Sequence, residues 1–248
     1  RAYYLSQLAN TKLKWETGAS FGIGVDARLF NRWNISAEYF DKRNKDLLFD
    51  VYLPLSAGAT SSSSAEATIT ENMGTISNRG FEINTDVDIF KNKDWTVNFS
   101  ANASFIKNKI VELPEQDKDG IISGIYKIAE GKSRYEFFTY TYVGVDQMTG
   151  NSLYKANLEN YHVTTADGQT VGNADGNDIS KYVTQIGNEY YVNNTSYALK
   201  EYHGSAIPKV YGSFSPSVRY KDLSLSMMFT YSIGGKVYDA VYSSLMST

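Results

Sequence analysis

The stretch WTVNFSANASF, residues 95–105, alternates apolar and small polar residues along its whole length. The apolar side of an extended chain would carry Trp95, Val97, Phe99, Ala101, Ala103 and Phe105. A period of two predicts a β-strand with one apolar face. Such a face has to be covered, and the covering material is either a protein core or the hydrocarbon of a membrane.

The same alternation recurs along the chain and predicts eight strands. In order they are residues 17–30, 33–43, 80–89, 95–105, 135–146, 151–156, 210–220 and 223–233. Five of them alternate strongly, and the fifth and sixth have the weakest pattern. Together they predict an all-β protein.

Short and long connections alternate between these strands. The first, third, fifth and seventh strands are followed by tight turns, whereas long loops cover about residues 44–78, 108–134 and 157–207. In an antiparallel meander, alternate connections lie at the same end of the sheet. Short turns at one end and large loops at the other are typical of outer-membrane barrels. The spacing therefore predicts an antiparallel up-and-down transmembrane β-barrel.

The two faces of the predicted strands differ in composition. On the lipid-facing side we expect Phe21, Ile23, Val97, Phe99, Leu225 and Phe229. On the lumen-facing side we expect Asp26, Arg28, Glu82, Asp86, Asp88, Asn98 and Asn102. Trp33, Trp95 and Tyr220 flank the short turns, where barrels place interfacial aromatic residues; Tyr39, Phe105, Phe229 and Tyr231 could form the second girdle. The same aromatic residues would suit the core of a soluble sandwich.

Composition excludes several classes of function. No run of about 18 apolar residues occurs, so no transmembrane helix is predicted. The chain has no cysteine, which excludes disulfides and thiolate metal sites, and a net charge of −3 gives no basic field for nucleic acid. His162 and His203 lack a nucleophile or metal-ligand partner at useful spacing. We therefore predict no catalytic site, no enzymatic activity and no cofactor.

The last long loop is rich in tyrosine. Its rings could stack against sugars or peptide side chains, which makes Tyr161, Tyr190, Tyr191, Tyr197 and Tyr202 candidate substrate-binding residues. The alternative is that these rings pack the loop onto itself. Two Asp-Gly segments, residues 117–120 and 175–178, resemble calcium loops, but neither completes the required spacing, so ordinary turns are the better interpretation.

Six segments resemble the SusC/RagA type of TonB-dependent outer-membrane transporter. They are LKWETGASFGIGVD (13–26), ISAEYFDKRNKDLLF (35–49), MGTISNRGFEI (73–83), WTVNFSANASFIKNKIVEL (95–113), IAEGKSRYEFFTYTYVGVDQMTGNSLY (128–154) and AIPKVYGSFSPSVRYKDLSLSMMFTYSIGGKVYD (206–239). The Asn-Pro start that usually precedes the first segment is replaced here by Asn10-Thr11-Lys12. The segments occur in order and cover nearly the whole chain.

This resemblance implies a 22-stranded barrel with an N-terminal plug. Residues 1–248 would be an internal portion of that barrel, with the plug, the TonB box and the last strands outside it. It further implies import of oligosaccharides or peptides across the outer membrane of a Gram-negative bacterium. The implied partners are a SusD-like surface lipoprotein, the TonB complex, the lipid bilayer and the glycan or peptide substrate.

Two other functions fit the alternation. A passive outer-membrane channel or adhesin barrel would require the eight strands to close on themselves. A soluble carbohydrate-binding β-sandwich would require a second sheet over the apolar side chains of residues 95–105.

Overall fold

A computed structural model describes residues 7–52 and 68–245 of the chain. Part of the predicted loop 44–78, residues 53–67, lies outside the described residues, as do both chain ends. The strands are β1 (Gln7–Leu8), β2 (Thr17–Leu29), β3 (Trp33–Lys45), β4 (Leu48–Tyr52), β5 (Thr68–Asn72), β6 (Thr75–Lys91), β7 (Trp95–Glu112), β8 (Ile121–Ser123), β9 (Tyr126–Ile128), β10 (Glu136–Tyr140), β11 (Tyr142–Val145), β12 (Ser152–Lys155), β13 (Tyr161–Thr164), β14 (Thr170–Gly172), β15 (Asn177–Asp178), β16 (Val183–Ile186), β17 (Glu189–Val192), β18 (Lys200–Ser205), β19 (Val210–Tyr220), β20 (Leu223–Ser226) and β21 (Phe229–Ile233). Short 3₁₀ turns occupy Glu115–Asp117, Ser180–Tyr182 and Thr195–Tyr197, and helix α1 spans Ala240–Leu245.

The chain divides into two compact units. The first comprises the described parts of Arg1–Ser123, Lys127–Glu136 and Gly204–Thr248, and the second comprises Gly124–Tyr126 and Phe137–His203. In the described ranges no helix is long and apolar enough to cross a membrane.

The first unit contains the main sheet, which is antiparallel and open. Its order is β2-β3-β6-β7-β19, and β20 and β21 both pair with β19 on its other side. The all-β antiparallel fold predicted from the alternation is confirmed. Three residues, Phe30, Asn31 and Arg32, join β2 to β3, and φ is positive at Phe30 (52°) and Asn31 (54°), as at the two central residues of the type I′ turns that suit the twist of hairpin strands.

The predicted eighth strand is interrupted because of a proline in its neighbour. The amide of Met227 donates to the carbonyl of Pro216 at 3.1 Å, so the backbone groups of Pro216 point toward this strand. Proline has no N–H to return the bond. The strand is therefore divided into β20 and β21, while the pairing of β19 with β7 on the other side continues past Pro216.

The assignment of the predicted fifth and sixth strands to the barrel is wrong. β7 pairs directly with β19, from Phe105 opposite Val210 to Trp95 opposite Tyr220, which leaves no place between them. The predicted fifth strand breaks at Thr141 into β10 and β11, and the sixth is β12, which pairs with β11 and β17 in the second unit. The main sheet thus has six strand positions rather than eight. Residues 108–112 of the first predicted long loop here are the end of β7, and the rest of the predicted loops 108–134 and 157–207 lies in the long connection between β7 and β19, most of which, residues 137–203, belongs to the second unit. This long connection is called here the insertion.

The second unit has its own hydrophobic core. Strands β11, β12, β17 and β16 form one small sheet, and β13 pairs with β14 and β15 in another. The buried side chains that form this core are Ala156, Val163, Ile179, Val192 and Ala198. In the main sheet, by contrast, no described side chain between the short turns and residues 39, 81 and 105 is fully buried.

Candidate functional site

Within the described chain, the apolar face of the main sheet is not covered by protein. The side chains of Phe21, Ile23 and Leu225 are 59%, 63% and 60% exposed. Val97 and Phe99 are half-buried by their neighbours in the same sheet, and the ring of Phe99 lies 6.5 Å from that of Phe214, which stacks on Phe229. A β-sandwich requires a second sheet over these residues. In the described chain no second sheet covers them.

Aromatic side chains border this apolar face at both ends. At the short turns, the rings of Trp95 and Tyr220 are 4.5 Å apart, and Trp33 begins β3. Toward the long connections, a row of paired residues comprises Tyr39, Phe81 and Phe105. From Trp95 to Phe105 the strand runs about 33 Å, or about 23 Å along the barrel axis for a strand tilted by about 45°. The apolar face between these borders is defined here as the apolar band.

The strand register relates the four residues of the predicted second girdle, whose common height in a membrane stays a prediction. Tyr39 and Phe105 do share a row, and the structure adds Phe81 to it. Tyr231 lies opposite Gly212 and Phe229 opposite Phe214, two and four residues along β21 from Ile233, which lies in the row of Phe105.

The opposite face is polar and contains an open concavity of about 550 Å³. Four of the predicted lumen-facing residues line it together, namely Asp26, Arg28, Asp86 and Asn102. The Asn98 amide donates at 3.2 Å both to Asp86 and to Asp88 beside the concavity, whereas Glu82 lies further along β6 and accepts from Ser104. Their orientation toward a lumen stays a prediction.

Several residues of this concavity were not predicted from the sequence, among them three polar ones on separate strands. Asn34, Asn84 and Ser213 line it on strands β3, β6 and β19. The Ser213 hydroxyl accepts a hydrogen bond from the Asn102 side chain at 2.8 Å, and its amide donates to the same side chain at 3.1 Å. Each of the three lies at a polar position of the alternating pattern, and this position was the sequence signal that could have identified it.

The loop tyrosines take part in packing within the second unit. Tyr161, Tyr190 and Tyr197 pack against its core, and the ring of Tyr161 meets that of Tyr197 edge-on at 5.4 Å. Burial raises the pKa of Tyr197 above its usual value, with Tyr182 stacked on it at 4.9 Å. Tyr191 is half-buried in β17. The structure therefore gives several of these rings a packing role, and substrate binding stays a prediction.

Tyr202, Glu201 and Asp178 also make side-chain contacts within this unit. The ring of Tyr202 lies 5.0 Å from that of Phe138. Glu201 accepts a 2.6 Å hydrogen bond from the Thr141 hydroxyl, which, with Lys155 at 3.3 Å, lowers the pKa of this carboxyl. The Ser180 hydroxyl and amide lower the pKa of Asp178 in the same way.

The polar clusters give no sign of a metal centre. Over residues 7–52 and 68–245, no three His, Cys, Asp or Glu side chains are grouped so that they could hold a metal ion. The Asp117–Gly120 segment forms a turn closed by a 2.8 Å bond from the Gly120 amide to the Asp117 carbonyl. His203 lies 3.2 Å from the Thr139 carbonyl, and Nδ1 of His162 is buried without a hydrogen-bond partner.

Comparison with known proteins gives consistent results. A family described as "TonB dependent receptor-like, beta-barrel" matches residues 2–198. TonB-dependent receptor P3 of Formosa agariphila is 28% identical over 242 residues, which cover 94% of this chain and 22% of that protein. TonB-dependent receptor SusC of Bacteroides thetaiotaomicron is 27% identical over 126 residues, covering 50% of this chain and 12% of that protein.

A solved structure shares the fold. The RagAB peptide importer in its open-open state superposes with a TM-score of 0.67 at 24% identity, covering 93% of this chain and 22% of the matched chain. The chain thus spans about a fifth of the length of the relatives that match it over most of its residues.

Proposed function

This chain belongs to the TonB-dependent receptor-like β-barrel family, and from that premise we propose that it forms part of the wall of an outer-membrane importer. The proposed cargo is an oligosaccharide or a peptide. The proposed partners are a SusD-like surface lipoprotein, which would cap the long connections, and the TonB complex, which would supply energy. Import would proceed by binding and conformational change, without making or breaking a covalent bond.

The observation that carries this proposal is the uncovered apolar band. It presents large side chains such as Ile23 and Leu225 to the surroundings on a sheet whose other face is polar. In water such a surface would be costly, because each square ångström of exposed apolar area costs about 25 cal/mol. In a bilayer the same face is solvated by acyl chains, and a band about 25 Å tall with aromatic borders is what outer-membrane barrels present.

The open sheet argues against a passive channel made by this segment alone. A passive channel requires the first and last strands to pair and close the barrel. In the main sheet as described, β2 pairs only with β3 and forms one edge, and β20 and β21 form the other edge beside β19. Unpaired backbone groups in hydrocarbon cost several kcal/mol each. In a larger barrel, further strands would pair with both of these edges.

The polar face supports a role in lining a pathway. Its concavity presents a mixture of carboxylates, an arginine and amides, which are suited to contacts with a polar plug or cargo. We propose Asp26, Arg28, Asp86 and Asn102 as contacts on this lumen side.

The test is a deletion of the gene in its host. The strain should lose growth on one class of cargo, either oligosaccharides or peptides, as the sole source, while growth on the corresponding monosaccharides or amino acids is unchanged. The protein should be found in the outer-membrane fraction. Normal growth of the deletion strain on both classes would refute the import proposal, and recovery of the protein in a soluble fraction would refute the membrane location.

A further inference from the structure

A row of charged residues lies directly above the aromatic border of the apolar band, on the side of the long connections. Arg79 is paired with Lys107 across β6 and β7, two residues beyond the row of Tyr39, Phe81 and Phe105. Two like charges directly opposite each other on a sheet destabilise it. A pair of cations at this position therefore favours the binding of a negatively charged group beside it.

Lys209 completes this group, and the three residues Arg79, Lys107 and Lys209 are named here the cation cluster. All three are exposed, and they surround an open, mainly apolar depression of about 500 Å³ whose walls include Phe81 and Phe105. In the described part of the chain, no carboxylate forms an ion pair with any member of the cluster.

The carboxylate that lies opposite Arg79 in the sheet is already engaged. Asp41 stands opposite Arg79 in the pairing of β3 with β6, but its side chain forms a 2.9 Å ion pair with Arg43. Asp41 is thus engaged by Arg43, and neither Lys107 nor Lys209 forms an ion pair in the described part of the chain.

The other end of the sheet has a different charge pattern. Its cations include Lys91, Lys93 and Lys221, which are named here the turn-end cations. Lys91 lies 3.8 Å from Asp88, and an aspartate adjoins each of the other two in sequence. Each of these three cations thus has an aspartate within an ion pair or next to it in sequence, whereas in the described part of the chain Lys107 and Lys209 have neither.

We propose that the cation cluster binds the phosphate of a lipid in the outer leaflet, with part of an acyl chain lying in the apolar depression below. This inference rests on the proposed outer-membrane location and goes beyond the proposed import. Charge and position select the ligand, because a phosphate fits the cations and the adjoining aromatic wall fits a hydrocarbon chain. A lysine or arginine near a membrane surface strengthens binding of anionic lipid about fivefold.

The test uses the intact protein purified from its host in a non-ionic detergent. Native mass spectrometry would measure retention of lipid A that carries its phosphates and of the same lipid with the phosphates removed. The wild-type protein should retain the phosphorylated form. The variant Arg79→Gln/Lys107→Gln/Lys209→Gln should bind it roughly a hundredfold more weakly, the product of three fivefold losses.

Two further variants make the result specific. Glutamine at all three turn-end cations removes the same charge and should leave retention unchanged. The conservative variant Arg79→Lys/Lys107→Arg/Lys209→Arg keeps the charge and should retain the lipid. Equal loss in the turn-end variant, unchanged retention in the glutamine variant of the cluster, or equal retention of the dephosphorylated lipid would overturn the inference.

Inorganic phosphate serves as the competitor that distinguishes a free anion from a lipid. Displacement of the lipid by inorganic phosphate at equal concentration would indicate a simple anion site and would also overturn the inference. A failure of this proposal is distinguishable from failure of the import proposal. A protein that resides in the outer membrane and imports cargo, yet shows no phosphate-dependent lipid retention, refutes the lipid site alone.

Discussion

An arginine placed at mid-height of the apolar band should destabilise the protein strongly. Ala101 lies on this face in the middle of β7, opposite Thr85 on one side and Phe214 on the other. If the face contacts lipid, Ala101→Arg places a cation near the bilayer midplane, where outer-membrane barrels lose about 2–4 kcal/mol. That loss is a change of roughly 30- to 1000-fold in the folding equilibrium.

Two control variants separate the effect of depth in the bilayer from the effect of the sheet face that carries the arginine. Ala19 lies on the same face but opposite Arg43, beyond the aromatic border, so Ala19→Arg should cost only about 0–1 kcal/mol. Ser100 is adjacent to Ala101 but faces the polar concavity, so Ser100→Arg should change stability by about 0.5 kcal/mol or less.

The measurement is the free energy of unfolding of the intact protein in lipid vesicles, obtained from denaturant titration of each variant. Heat-resistant migration of the folded form in detergent provides an independent assay of folding. Equal losses for Ala101→Arg and Ser100→Arg, or a loss for Ala19→Arg as large as that for Ala101→Arg, would refute the assignment of this face to lipid.

Three further predictions concern individual positions. Ile179→Ala should destabilise the second unit by about 2–5 kcal/mol, seen as faster proteolysis of residues 137–203, while exposed Ile186→Ala should have little effect. Gly80→Ala should reduce the yield of folded protein in the outer membrane, because an added Cβ would clash with the backbone carbonyl oxygen of Phe105 in β7. The hydrogen bond from Thr141 lowers the pKa of Glu201, which means that the ionised carboxylate stabilises the folded state. This stabilisation is complete above the ordinary pKa of glutamate and is lost as pH falls through the lowered pKa. Amide exchange in β18 should accelerate over that acidic range, and Glu201→Gln should reduce the pH dependence.

The strands of the main sheet could be predicted because each separates two different surroundings. Residues 95–105 alternate without exception, and the same is true of most of β2 and β19, so period and face follow from sequence alone. The extension of β6 back to Thr75 and of β7 to Glu112 could not be predicted in this way. Beyond the band the same face carries Arg79 and Lys107, and the apolar period disappears.

The insertion was less predictable for a physical reason. Its strands have two to six residues, too few to display a period, and its core is made from widely separated residues such as Ala156 and Val192. The segment around residues 135–146 looked continuous, yet Thr141 lies between two strands with different partners. The membership of the concavity likewise needed the strand register, because Asn102 and Ser213 meet although they lie 111 residues apart.

The direct pairing of β7 with β19 has a consequence for the order in which the polypeptide assembles. Pairing of these two strands closes a very long loop. The entropic cost of loop closure grows with the length of free chain between the ends. A nucleus formed early inside residues 137–203 would shorten that free chain. We therefore expect the insertion to collapse first and the hydrogen-bonded ladder between β7 and β19 to be among the last features acquired during biogenesis, since long-range pairing is kinetically slow.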